Sequence, residues 1–348
     1  MSVVAIESAA ARPGGHARRS ALWIGLGGAL LAAMVVALAV GRVGLGVTEV
    51  LRALWAWAGG VRDPAAILVG DIRLPRVLMA ALGGAALAAA GTTLQGLTRN
   101  PLVSPDLVGA SSGAAFGGAA MILLFDDRLV TLAGAFAGGL GAVALVLLLA
   151  RQVGRRDPLG LVLCGVIVSA LASALVTLAT VLADPEDELP SIVYWLMGSF
   201  ADASWSGAGW LALATLPAVA LILALRFQVN LLALGDDEAR ALGSEPQRLR
   251  ALLVVAVALA TAGTVAVAGI VGWIGLVVAH MARLLVGADH AVSIPASALL
   301  GATLLLAVDT FARTATAQEL PLSVLTAMLG TPVFLWLLAR NGGLVRDV

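Results

Sequence analysis

Residues 159 to 183, LGLVLCGVIVSALASALVTLATVLA, run for 25 positions without one charged side chain. About 20 apolar residues are enough for a helix to cross the hydrocarbon core of a bilayer. Runs of the same character cover 21–41, 76–97, 106–125, 129–150, 206–226, 249–271, 273–286, 294–313 and 322–340. A segment in lipid must satisfy its own backbone, which leaves helices or closed barrels. Barrel strands alternate apolar with polar residues over about ten positions. These runs are instead continuous and rich in Leu, Ala and Val. The expectation is an all-α integral membrane protein of about ten transmembrane helices, with a cytoplasmic tail over 1–20 and one ten-helix transmembrane domain over 21–342. Composition agrees: 60% of residues are hydrophobic and 12% charged, against roughly half and a quarter in soluble domains.

The first run follows Arg12, Arg18 and Arg19, and Ala37-Leu38-Ala39 resembles a signal-peptidase site. The run is longer than a signal h-region, so it reads as a retained helix. With the N-terminus inside, fourteen arginines fall on cytoplasmic segments and seven (42, 52, 62, 73, 76, 128 and 313) outside. That bias follows the positive-inside rule. Ala86-Leu87-Ala88-Ala89-Ala90-Gly91-Thr92 recurs as Ala258-Leu259-Ala260-Thr261-Ala262-Gly263-Thr264. The copies fall on spans of opposite direction, as a weak inverted repeat would place them.

All 21 basic residues are arginine. A phosphate-binding P-loop needs a lysine on the β- and γ-phosphates, so ATP-driven work falls to a partner. His16, His280 and His290 form no ligand cluster by spacing, and no metal site is expected. The single Cys164 lies in an apolar run as packing.

The polar interruptions carry the chemistry. In RNPLVSPDLVGASSGAAFGG (99–118) a helix is expected to stop near Arg99, before Pro101. A new one should start with Ser104 as N-cap and Pro105 and Asp106 in its first turn. Gly109, Gly113 and Gly117 then offer small-residue spacing for close helix contact. Prolines 75, 295 and 321 read as further helix starts. In 230–250, Gly235 and Gly243 bracket a short helix with Ala239 and Leu242 on one face. It is either a solvated loop or a helix that docks into a soluble partner. Gly269, Gly272 and Gly275 break a span ahead of His280 and Arg283. Asp309, Arg313 and Glu319 lie near the outer face, where charges must pair or serve function.

These residues, in order, resemble the signature of FecCD-type permeases, the ten-helix membrane subunits of bacterial ABC importers for iron–siderophores, haem and cobalamin. The resemblance rests on Arg73-Leu74-Pro75-Arg76, Gly91 and Gln95, Asn100-Pro101-Leu102, Gly109 and Gly113, Leu234-Gly235, Leu242-Gly243, Gly269, Gly275, His280, Arg283, Asp309, Arg313, Glu319-Leu320-Pro321, Gly330 and Pro332. Ala279 stands where the family has proline and Ser323 where it has glycine. The resemblance implies a cytoplasmic gate at Asn100 and Leu102, and an ATPase-coupling helix at Gly235, Ala239, Leu242 and Gly243. It implies docking of a substrate-binding protein at Arg73, Arg76 and Arg313, with Gln95, His280, Arg283, Glu319 and Pro321 as structural or pathway residues. It further implies a second permease copy, two ATPase subunits that hold ATP and Mg, and no cofactor or nucleic acid on this chain. The resemblance also implies a bacterial inner membrane as the location, with both termini cytoplasmic, and a ferric siderophore as cargo, with haem or cobalamin as alternatives. A secondary transporter shares broken helices and repeats, but normally carries mid-membrane acids, which the deep segments here almost lack. An intramembrane enzyme would need a nucleophile–base set or a metal set, and neither can be assembled.

Overall fold

The computed structural model describes residues 15–125, 127–153 and 158–340, and these are helical with short connections. In order the helices are α1 Gly15–Ala39, α2 Val47–Ala58, α3 Pro64–Ile67, α4 Leu74–Thr98, α5 Ala110–Leu124, α6 Arg128–Val153, α7 Pro158–Leu182, α8 Glu188–Met197, α9 Trp205–Ala224, α10 Arg226–Leu234, α11 Asp236–Ala241, α12 Pro246–Ala268, α13 Ile274–Val286, α14 His290–Ala312 and α15 Leu322–Arg340. Seven helical stretches are long and apolar enough to cross a membrane, and three shorter apolar helices lie at 110–124, 274–286 and 322–336. Each coincides with an expected span. Arg12, Arg155, Arg156 and Arg346 and the C-terminal end lie outside the described residues. Of the expected tail, residues 15–20 already belong to α1.

The second span departs from expectation. Pro75 does not start a helix: α3, a π-helical turn over Leu68–Arg73 and α4 form one 35-residue rod, Pro64–Thr98. The true start is Pro64, with Asp63 as N-cap accepting from the Ala66 N–H at 2.7 Å. The π turn absorbs the missing proline donor and frees the Gly70 carbonyl, which accepts from Trp205 Nε1 at 3.0 Å. Trp205 stacks on Trp57, whose Nε1 donates to Asp71. Pro295 likewise lies inside α14, whose N-cap is Asp289. Pro321 does precede a helix start.

The rod is the centre of the bundle. From Ala86 to Leu97 every residue is buried, and the sequence there is almost entirely Ala, Gly, Thr and Leu. Small side chains let neighbours come to backbone contact. A Cβ on Gly84 would lie 2.2 Å from the Gly301 carbonyl oxygen of α14, and one on Gly91 would lie 2.1 Å from that of Gly275 on α13. Contacts from Arg76 to Asp309 and from Ala88 to Ser297 make α14 antiparallel to α4. Gly83 near the start of α4 meets Thr264 near the end of α12, so these two also run oppositely. The repeated segments lie on these antiparallel helices and bury Ala86, Ala89 and Ala90 in the same core as Ala258 and Ala260, and Thr92 and Thr264 each donate to the carbonyl four residues back.

The 99–118 elbow also differs in detail. Ser104 makes no capping bond, and residues 105–108 form a 3₁₀ turn that ends at Gly109 with φ +88°. The α-helix begins only at Ala110, because the left-handed glycine resets the chain direction. Asp106 instead accepts from the Ser111 hydroxyl at 2.5 Å. Gly113 and Gly117 do pack against Gly138 and Gly134 of α6.

Candidate functional site

The polar groups collect at the two ends of the Pro64–Thr98 rod. At its upstream end, α1 stops at Ala39 with carbonyls that no water-free bilayer could satisfy. Arg73 supplies donors to Leu38 O at 2.6 Å, Ala39 O at 3.2 Å and Val43 O at 2.5 Å. Arg313 donates to Ala37 O. Arg76 forms a fork between two acids: its Nε and Nη2 reach Asp309 at 2.8–3.1 Å, and its Nη1 and Nη2 reach Glu319 at 2.9 and 2.8 Å. The Asp309 side chain is 1% exposed and that of Glu319 27%. Burial raises the proton affinity of Glu319, but the bonds from Arg76 and the charges of Arg76, Arg313 and Arg42 outweigh it, so its carboxyl lies below the usual range. The expected docking arginines are therefore brought together, but with their guanidinium groups turned into the chain. Sequence reasoning missed the carbonyls that hold Arg73 and Arg313. For Arg73 the signal was available, since no acid lies three or four residues from it; Arg313 has Asp309 one turn back, which hid the carbonyl contact.

A separate cleft of about 820 Å³ opens among α5, α6, α8 and the end of α12, lined by residues that include Asp127, Arg128, Asp187, Glu188, Trp195, Ser199, Asp202 and Gly269. Arg128 donates to Asp202 O at 2.5 Å. Four carboxylates and one guanidinium belong to its lining.

At the downstream end, Arg99 closes α4 with φ +52°. The Asn100 side chain accepts from the Leu102 N–H at 2.9 Å, an Asx turn that stiffens the elbow. Leu102 is 50% exposed. Arg283 donates to Gln95 Oε1 at 2.6 Å, joining α13 to α4. His280 turns elsewhere: its ring meets Phe334 of α15 edge-on and its Nδ1 lies 3.0 Å from Leu276 O. The pair expected on one face thus serves two neighbours. The helix break ahead of them spans Gly269 to Trp273, with both at positive φ. Gly275 belongs to α13 and gives room for Leu87 O and Pro105.

The 230–250 segment forms α10, α11 and the start of α12. Gly235 and Gly243 bracket α11 with φ of +136° and +82°. The shared face of Ala239 and Leu242 is not observed. Ala239 is fully buried in the bundle, whereas Leu242 is 61% exposed. The helix is only six residues long, so the two positions separate at its frayed end. Asp236 turns inward to Arg250 at 2.7 Å. Asn230 holds Asp289 and the His290 backbone, which fixes α10 on α14.

A helical membrane bundle with backbone-close glycines, a proline-bounded elbow and an adjacent short helix between glycines defines the class of polytopic helical membrane protein. The chain belongs to the FecCD transport family, which it matches over residues 29–340. It is 40% identical to the molybdate import system permease protein MolB of Haemophilus influenzae, over 88% of this chain and 91% of that one. It is 40% identical to the hemin transport system permease protein HmuU of Yersinia pestis, over 88% of this chain and 93% of that one. A solved structure described as an inward-facing conformation of a metal-chelate type ABC transporter superposes with a TM-score of 0.84 and 38% identity. It covers 92% of this chain and 99% of that one. The chain is thus an ABC permease subunit, a class whose ATPase site resides in other subunits.

Proposed function

We propose that this chain is the membrane subunit of a bacterial inner-membrane importer for ferric siderophores, with the Asn100 end facing the cytoplasm and both termini on that side. The arrangement that carries this reading is the rod itself, with an exposed gate-like elbow at one end and a charged, partly exposed cluster at the other. Two copies, or this chain and a related one, enclose the path. Two ATPase subunits hold ATP and Mg and seat on the exposed surface around α11, which Leu242, Gly243 and Asp237 line. The chain itself binds no cofactor. Asn100 and Leu102 close the inner end, since a stiff polar–apolar pair can block a pore with little backbone movement.

The substrate-binding protein is received at the Arg76 end. Arg73 and Arg313 hold that surface in shape, and Arg76 fixes the partly exposed Glu319 on it. The acid-rich cleft among α5, α6, α8 and α12 favours a cargo without excess negative charge over a free oxyanion, which its four carboxylates would repel. The test is uptake of labelled ferric siderophores, haem, cobalamin and molybdate by a deletion strain with and without the gene. Restored ferric-siderophore uptake alone supports the reading. Restoration of molybdate or cobalamin uptake in its place would overturn the cargo, and uptake that persists without an ATPase would overturn the class.

A further inference from the structure

Between 236 and 250 the chain carries seven charged side chains, and only those of Asp236 and Arg250 are turned into the bundle, at 12% and 11% exposure. Asp237 pairs outward with Arg240, and Glu245 with Arg248, as surface pairs do. Asp236 gathers arginines from three elements. Arg250 of α12 donates to both its oxygens at 2.7 and 3.4 Å, and Arg240 of its own helix lies at 3.8 Å. Arg99 comes from the end of α4: its Nη1 would stand 3.8 Å from a Cβ on Gly235, and its charge acts on Asp236. The gate-like residues Asn100 and Leu102 follow Arg99 directly.

The flanking glycines give this contact its meaning. Tethered only by Gly235 and Gly243, α11 would swing on two flexible hinges, and any push on it would be absorbed there. An enclosed ion pair resists separation, because parting it leaves a charge without a partner. We propose that Asp236 is a positioning residue of the transport cycle, carrying displacement of α11 through Arg250 and Arg99 to the Asn100–Leu102 elbow. This rests on α11 being the ATPase seat and the elbow being the gate.

The test uses the full complex with its ATPase in proteoliposomes, in a Cys164→Ala background carrying Leu102→Cys. Labelling by a membrane-impermeant maleimide is compared with and without ATP plus vanadate. The rate should change by about fivefold or more in the otherwise native chain, the lower end of typical site-to-site coupling. Arg99→Gln, remote from the exposed face of α11, should leave ATPase co-purification intact and ATP hydrolysis within about twofold while abolishing most of the labelling change. Asp236→Asn should also abolish it, and the exchange of Asp236→Arg with Arg250→Asp should restore it. A full labelling response in Asp236→Asn overturns the proposal. So does loss of ATPase binding in both single variants, which would make these residues part of the seat, and so does an exchange that restores nothing. A native chain that binds no ATPase, or whose labelling ignores nucleotide, would strike down the underlying functional reading and this link with it.

Discussion

The two ends of the α3–α4 rod solve one problem, charge within an apolar bundle, in opposite ways. Around Arg76 five charged side chains interlock with each other and with the last carbonyls of α1, and they tie together α1, α4, α14 and the loop before α15. Around Arg99 a single carboxylate is shared among arginines, glycines flank it, and the apolar tip of the elbow is left exposed. The first arrangement has few ways to move without stranding a buried charge. The second is held at one point and bends on either side of it. One end is built to stay and the other to shift.

The sharpest way to break this contrast is Asp309→Ala. It leaves Arg76 and Arg313 short of their buried acid and should cost about 3–5 kcal/mol. The measurement is the thermal unfolding midpoint in detergent, with Asp309→Asn falling by less. A drop corresponding to under about 1 kcal/mol would mean that the Arg76 end is no clamp.

Arg250→Met removes the charge but keeps most of the stem. It should cost about 1.5–3 kcal/mol, felt locally rather than globally. Limited proteolysis should accelerate between 235 and 245 while the unfolding midpoint hardly moves. A matching fall in the midpoint would erase the distinction between the ends.

Acid titration sharpens the same point. Burial raises the proton affinity of Asp236, but the bond from Arg250 and the charges of Arg250, Arg240 and Arg99 outweigh it, holding its carboxyl below the usual range. Glu319 is shifted the same way. A carboxylate lowered in the folded state stabilises fully above its unfolded value of about 4 and loses that contribution as pH falls through the lower, folded value. Proteolysis at 235–245 should therefore stay flat on going from neutral pH to mildly acidic pH and rise only below the ordinary carboxylate range. A rise already at mildly acidic pH would mean that burial outweighs the arginines and raises the carboxyl instead.

The smallest effect is expected for Arg62→Ala. The Arg62–Asp71 pair is 57% and 37% exposed, and such pairs contribute about 0.2–1 kcal/mol. Asp71 also keeps its bond from Trp57. A larger loss would extend the clamp outward along the rod.

Much of this was readable in the sequence. Apolar runs located the seven long spans and the three shorter apolar helices, because bilayer thickness sets one dominant length. The start of the central rod was not readable. Asp71, Arg73 and Arg76 interrupt the hydropathy, and Pro75 looks like a helix start. Trp57, Arg62 and the α1 carbonyls absorb those charges from distant positions. Ser104-Pro105-Asp106 has the composition of a helix start, but Gly109 at positive φ decides the geometry three residues later. Grouping Arg73, Arg76 and Arg313 came from the resemblance, whereas their inward direction depends on where α1 ends. Ala239 and Leu242 match helical periodicity, yet a six-residue helix between glycines has too little length for that periodicity to assign a face.

The glycine contacts have a genetic consequence. Any single-nucleotide change in a glycine codon that alters the amino acid adds at least a Cβ. At Gly84, Gly91, Gly117 and Gly165 that carbon would land 2.1–2.2 Å from a backbone carbonyl of another segment, whereas at Gly25, Gly27 and Gly28 on α1 it would meet nothing within 4 Å. The same codon family is thus fragile or indifferent according to helix. Among changes to uncharged residues, spontaneous loss-of-function alleles should gather on α4, α5 and α7 and spare the glycines of α1, whatever cargo the strain is selected on.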